Sequence, residues 1–251
     1  MIKLEDLVTE MVERLASDLF IKAGARPHLR VDGVLVEMDY ADMSSDDTRK
    51  MAYDIMNEQQ IQRFEEIPEM DMALSVSGVG RFRVNVFRQR NSVGMVLRHI
   101  TNPNFSFEQL NLPASVQSLS ERKRGLVIVT GTTGSGKSTT LAAMINHINQ
   151  QRHCHIMTIE DPIEFLHQDG QSIVNQREVG FDTRDFPDAL KHILRQSPDV
   201  ILIGEMRDLE TISTAMSAAE TGHLVFSTLH TTDATQTIER VINYFPAYLH
   251  N

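Results

Sequence analysis

One octapeptide constrains the fold more than any other feature of the chain. Gly131-Thr132-Thr133-Gly134-Ser135-Gly136-Lys137-Ser138 follows the apolar run Leu126-Val127-Ile128-Val129 and precedes Leu141, Met144, Ile145 and Ile148 at helical spacing. A strand that ends, turns sharply and starts a helix makes backbone N–H groups converge on a phosphate. The three glycines supply unusual dihedrals and a close backbone approach. Lys137 is placed to reach the β- and γ-phosphates, and the Ser138 hydroxyl to ligate Mg²⁺. Residues 131–138, with Thr139 beside them, are therefore the expected binding segment for ATP and Mg²⁺. On the loop alone, GTP fits as well.

The surrounding pattern extends this into a domain. A continuous apolar run is what a strand buried on both faces of a parallel sheet requires. Runs at 156–159, 200–203 and 224–226 repeat the pattern of 126–129. Helical patterns separate them, one carrying Ile212, Ala215, Met216 and Ala219. Strands alternating with helices imply a doubly wound α/β sheet.

Residues 1–100 read differently. Leu4, Leu7, Val8, Met11, Val12 and Leu15 predict an amphipathic helix, and Leu19-Phe20-Ile21 a short strand. Asp32-Gly33 between two apolar triplets predicts a tight hairpin. Ser44 or Ser45 is placed to cap a helix through Met51, Ile55 and Met56. From Ala73 to Ile100 the period is two: Phe82, Val84 and Val86 share one face, and Arg81, Arg83 and Asn85 the other. This predicts a mixed α+β domain with an antiparallel sheet over 1–100, a linker over 101–123, and the nucleotide domain over 124–251.

Composition narrows the function class. The 251 residues carry 34 acidic against 24 basic side chains, a formal charge of −10, which argues against a nucleic-acid partner. Tryptophan is absent, so an aromatic base-stacking surface is not expected. Cys154 is the single cysteine, which excludes an intrachain disulfide and fits a reducing compartment. The N-terminus lacks a signal-peptide pattern, and no apolar run approaches the ~18 residues of a membrane span. A cytoplasmic protein, docking on a membrane complex from inside if at all, is expected.

An acid is needed at the end of a strand beside the phosphate loop. Glu205, at the exit of Val200-Ile201-Leu202-Ile203-Gly204, fits, and Glu160-Asp161-Pro162-Ile163-Glu164 is a second candidate; solvated loop carboxylates are the plain alternative. His223 and His230 flank another strand. His230 reads either as a surface histidine or as a ring at the nucleotide face. His153, Cys154 and His155 form a weak metal pattern. Arg81, Arg83, Arg88 and Arg98 read as a solvated sheet face or as donors to transition-state charge in a neighbour's site.

Four motifs occur in a specific order: Gly131–Ser138; Ile159-Glu160-Asp161-Pro162-Ile163-Glu164-Phe165; Leu194 through Gly204-Glu205-Met206-Arg207-Asp208; and Ala219-Glu220-Thr221-Gly222-His223 through Leu229-His230-Thr231-Thr232. In them the chain resembles, over essentially its whole length, the PilT-type twitching-motility ATPases of the type II/type IV secretion ATPase superfamily. The resemblance implies an N-terminal PAS-like α+β domain, a mobile linker and a RecA-like P-loop NTPase core, α/β overall, assembled as a homo-hexamer. It implies that Glu205 polarises the attacking water, that Glu164 assists, and that His230 contacts the γ-phosphate region. It matches Arg83 and Arg98 to arginines offered from the N-terminal domain. The implied function is pilus retraction at an inner-membrane platform protein, acting indirectly on pilin. Assembly ATPases of the superfamily, an accessory retraction paralogue, a conjugation-type motor and a non-hydrolysing ring subunit are the alternatives. Extension ATPases carry an extra N-terminal domain, whereas this chain reaches its loop by residue 131, which favours retraction. Ending at Asn251, the core is expected to be C-terminally truncated.

Overall fold

In the computed structural model, which describes residues 2–103 and 105–246, contacts divide the chain between Thr101 and Asn102 into two units. The first opens with α1 (Leu4–Glu13), whose Leu4, Leu7, Val8 and Met11 are buried at helical spacing. Leu15 does not continue that face. It lies past the helix at φ 52°, 88% exposed, where the chain turns out of α1.

Strands β1 (Asp18–Lys22), β2 (His28–Val31) and β3 (Val34–Glu37) follow. Asp32 and Gly33, both at positive φ, make the tight turn between β2 and β3. Helix α2 (Ser45–Asp54) starts at a reciprocal cap: Ser44 accepts from the Asp47 N–H, and the Asp47 carboxylate accepts from the Ser44 N–H. It stops before Ile55 and Met56, which were expected within it. Helix α3 (Glu58–Glu66) was not anticipated, although Asn57 and Gln60 repeat the same reciprocal cap. Strands β4 (Glu69–Val76), β5 (Gly80–Gln89) and β6 (Ser92–Ile100) complete a six-stranded antiparallel sheet of order β3-β2-β1-β6-β5-β4. Phe82, Val84 and Val86 face its core, as period two requires.

In the second unit, part of the stretch read as a linker is packed. It carries α4 (Ala114–Ser120) and buries Phe107 beside helix and sheet residues of the same unit. Strand β7 (Gly125–Thr130) leads to α5 (Lys137–Gln151). Then come β8 (His155–Glu160), β9 (Ile173–Glu178), α6 (Phe186–Ile193), β10 (Val200–Ile203), α7 (Leu209–Glu220), β11 (Leu224–Leu229) and α8 (Ala234–Tyr244). The five strands are parallel, in the order β7-β11-β10-β8-β9.

The sheet buries both faces. Ile156, Val200, Leu202 and Phe226 pack with α5, whereas Ile159, Ile201, Ile203 and Val225 pack with α6 and α7. Each interior strand therefore feeds two cores, which is why its sequence is apolar without alternation. Two expectations need correction. Strand β7 is half-buried throughout because it stands at an edge of the described sheet. Met216 is 36% exposed, on the outer side of α7. Residues 247–251, where the expected end of the second unit falls, lie outside the described residues.

Candidate functional site

The phosphate loop is built by glycine geometry. Strand β7 ends at Thr130, and Gly131, Gly134 and Gly136 take φ of 150°, 80° and 90°, conformations that side chains disfavour. A Cβ on Gly131 would lie 2.4 Å from Ser135 Oγ, so the tight entry requires glycine twice over. Gly136 caps α5, and Lys137 and Ser138 open its first turn. The Lys137 ammonium is almost fully buried and donates 2.9 Å hydrogen bonds to the Gly131 and Thr132 carbonyls. A cation is thus held inside the loop beside the free N–H groups of a helix start.

The loop forms one wall of a cavity of about 400 Å³, through Thr133, Gly134, Gly136, Lys137, Ser138 and Thr139. The other walls come from the C-terminal ends of β8, β10 and β11, where open parallel sheets place ligands. Glu205, Glu164 and His230 all reach this cavity. Glu205 sits two residues past β10 with its side chain 16% exposed. One carboxylate oxygen pairs with Arg207, and the other lies 3.8 Å from His230 Nε2. The Thr228 hydroxyl donates 2.7 Å to the Gly204 carbonyl and so ties the exit of β10 to β11.

The acid-rich segment supplies the remaining carboxylates. Glu160, the last residue of β8, accepts from the Thr158 hydroxyl at 2.6 Å and from the Gln176 amide at 3.0 Å. Burial pushes its carboxyl pKa up against the lowering effect of those bonds, and the Glu164 charge adds to the rise. Glu164 is exposed at the cavity rim. His167 also lines the cavity; burial lowers its pKa to about 4, and its Nδ1 has no hydrogen-bond partner.

The donor set suits a nucleoside triphosphate with Mg²⁺. A buried ammonium and a glycine cradle match phosphate oxygens. The Ser138 hydroxyl and the cavity carboxylates are the hard oxygen donors that Mg²⁺ takes beside substrate phosphates.

The family profile described as Type II/IV secretion system protein matches residues 1–244. The chain belongs to this family. It is 50% identical over 242 residues to the type IV pilus retraction ATPase PilT of Pseudomonas aeruginosa, covering 96% of this chain and 70% of that protein. It is equally 50% identical, over 246 residues, to the type IV pilus ATPase PilU of the same organism, covering 98% of this chain and 64% of PilU. A crystal structure of the pilus retraction motor PilT with bound ADP superposes with a TM-score of 0.91 at 50% identity, covering 100% of this chain and 73% of that one. The chain thus spans roughly two-thirds to three-quarters of the length of these type II/IV secretion relatives.

The other sequence candidates of this family member have partners within their own units. Arg83 and Arg98 are direct neighbours across β5 and β6 of the first unit, 51% and 70% exposed. Arg98 donates 2.8 Å to Asp18, which is buried and also pairs with Arg30 at 3.4 Å; Arg83 lies 3.9 Å from Asp71. Arg88 pairs with Glu65 and lies over the Phe64 ring. The His223 ring donates to the Ala218 carbonyl at the end of α7. Cys154 contacts the Ser172 hydroxyl, and His155 donates to the Ser197 carbonyl.

Sequence reasoning did not single out Gln176, His167 or Thr228. Gln176 stands on β9, whose two apolar residues, Ile173 and Val174, are followed by four polar ones and gave no continuous apolar run to detect. Thr228 was hidden in the all-buried strand β11. His167 sits three residues past Glu164, and that spacing was the available signal.

Proposed function

We propose that this chain is the catalytic portion of an ATP-hydrolysing motor that powers type IV pilus retraction. The observation that carries this reading is the convergence of Lys137, Ser138, Glu205 and His230 on one cavity. It is supported by the PilT and PilU relatives and by the likeness to PilT with bound ADP.

In this reading the glycine cradle and Lys137 hold the β- and γ-phosphates of ATP. Glu205 orients a water and accepts its proton as the water oxygen attacks the γ-phosphorus. The bond to the β–γ bridging oxygen breaks, and Lys137 neutralises charge on the departing ADP. Glu164 assists at the same site, and the His230 ring contacts the γ-phosphate region. Mg²⁺ held through Ser138 supplies Lewis-acid polarisation of the phosphate oxygens. Arg83 and Arg98, on a first unit that we read as PAS-like, neutralise transition-state charge in a RecA-like core. The assembly is a homo-hexamer at the cytoplasmic face of the inner membrane. It acts on a platform protein and through it on pilin, with no nucleic-acid partner. Among the described residues no helix is long and apolar enough to cross a membrane.

A second reading, the accessory retraction ATPase, rests on identity to PilU equal to that with PilT. ATP turnover by the full-length protein tests the first step. Lys137→Ala and Glu205→Gln should each reduce it at least tenfold, and unchanged turnover in both overturns the assignment. Complementation of separate retraction mutants lacking PilT or PilU distinguishes the two readings.

A further inference from the structure

The side-chain amide of Gln176 is used on three sides. Strand β9 runs parallel to β8 with Thr158 and Gln176 directly paired. From there the Gln176 NH₂ donates to the Glu160 carboxylate at 3.0 Å and to the Phe165 carbonyl at 2.9 Å. Its carbonyl oxygen accepts from the His167 backbone N–H at 2.8 Å. An amide offers two donors and one acceptor oxygen, so both donors and the acceptor are engaged.

Those contacts bracket Glu164. Glu160 precedes it at the end of β8, and Phe165 and His167 follow it, so one side chain binds the loop on both sides of the exposed carboxylate. The segment from Glu160 to His167 otherwise lacks regular secondary structure. Loop residues that act on a substrate need such support from a rigid element to hold a reactive geometry. Only an amide of this length gives donors to a carboxylate and a carbonyl and an acceptor to an N–H together. Glutamate offers no donor when ionised, and methionine offers no donor and only a weakly accepting sulfur.

We infer that Gln176 is a positioning residue for ATP hydrolysis, fixing the loop that carries Glu164 and the buried Glu160 carboxyl against the nucleotide cavity. The inference rests on the ATPase reading and does not place Gln176 in contact with substrate. It assigns a chemical task to the edge strand of the second sheet: holding the acidic wall of the cavity opposite the phosphate loop.

The test uses the full-length protein with Gln176→Glu and Gln176→Met, beside wild type and Glu205→Gln. Fluorescent-ADP affinity and KM for ATP should stay within about threefold of wild type. The kcat should fall at least tenfold in both Gln176 variants. Wild-type kcat in both variants overturns the inference. So does a loss of ADP affinity that matches the loss of kcat. Should Gln176→Glu not fold, the kcat-against-KM split of Gln176→Met decides. Failure of the ATPase reading is separate: there wild type and Glu205→Gln turn over ATP equally.

Discussion

Oε2 of Glu205 lies 3.8 Å from Nε2 of His230, while Arg207 occupies the other carboxylate oxygen. The acid therefore stands between a permanent cation and a titratable ring, at the end of β10 and facing the loop that carries Lys137. Glu205→Gln keeps the shape and removes the proton acceptor. We expect kcat to fall by about 10²–10⁴ while fluorescent-ATP affinity changes by less than threefold. His230→Gln should cost less, about tenfold. Single-turnover hydrolysis with separate binding titrations checks both, and an equal loss of affinity and rate would contradict the assignment.

Gly131→Ala is expected to weaken nucleotide binding without unfolding the unit. Its φ of 150° suits glycine, and an added Cβ would press on Ser135 Oγ at 2.4 Å. The loop must shift, and the N–H groups lose their convergence. An affinity loss of at least tenfold, about 1.4 kcal/mol, is expected by titration with fluorescent ADP, with an unchanged circular dichroism spectrum.

His167 sets a pH dependence of stability. Burial depresses its pKa from 6.5 to about 4, so the unfolded chain binds the proton first as pH falls. Stability is fully present above pH 6.5 and is lost between pH 6.5 and 4, by up to about 3 kcal/mol from this group. The raised Glu160 carboxyl acts with the opposite sign, because the folded state takes up that proton first. The difference between wild type and His167→Gln isolates the histidine. The variant should show a shallower decline in urea midpoint from pH 6.5 to 4.5, and parallel curves would refute the assignment.

Asp18→Asn should destabilise the first unit. The side chain is 6% exposed and receives the Arg98 guanidinium at 2.8 Å, Arg30 at 3.4 Å and the Ser17 hydroxyl at 2.8 Å. We expect a loss of about 1–2 kcal/mol, since the partner arginines stay partly in solvent and the pairing is screened. Arg98→Ala should cost less, about 0.5 kcal/mol, because Arg98 is 70% exposed and Asp18 keeps its other donors. Denaturant midpoints of the two variants check the ordering.

Local chemistry was legible in the sequence. The glycine spacing of 131–136 dictated the loop, because side chains disfavour those dihedrals, and apolar runs without alternation announced strands buried on both faces. Asp32-Gly33 and the Ser44–Asp47 cap acted within a few residues of themselves. The strand exit at Glu205 followed from the same local pattern. What tertiary structure decided was pairing at long range. Strand β9 is polar throughout Asn175–Glu178 and pairs with β8 at the edge of the sheet, so nothing within it marked it as a sheet member, or Gln176 as the clamp on the acidic loop. The exposure of β7 was likewise set by its place at an edge. The clamp of Arg98 by Asp18 joins residues 80 apart in the chain, and the approach of His230 to Glu205 joins two adjacent parallel strands. Residues far apart in sequence carry no local trace of their contact, and only the folded sheets bring their charges within reach of one another.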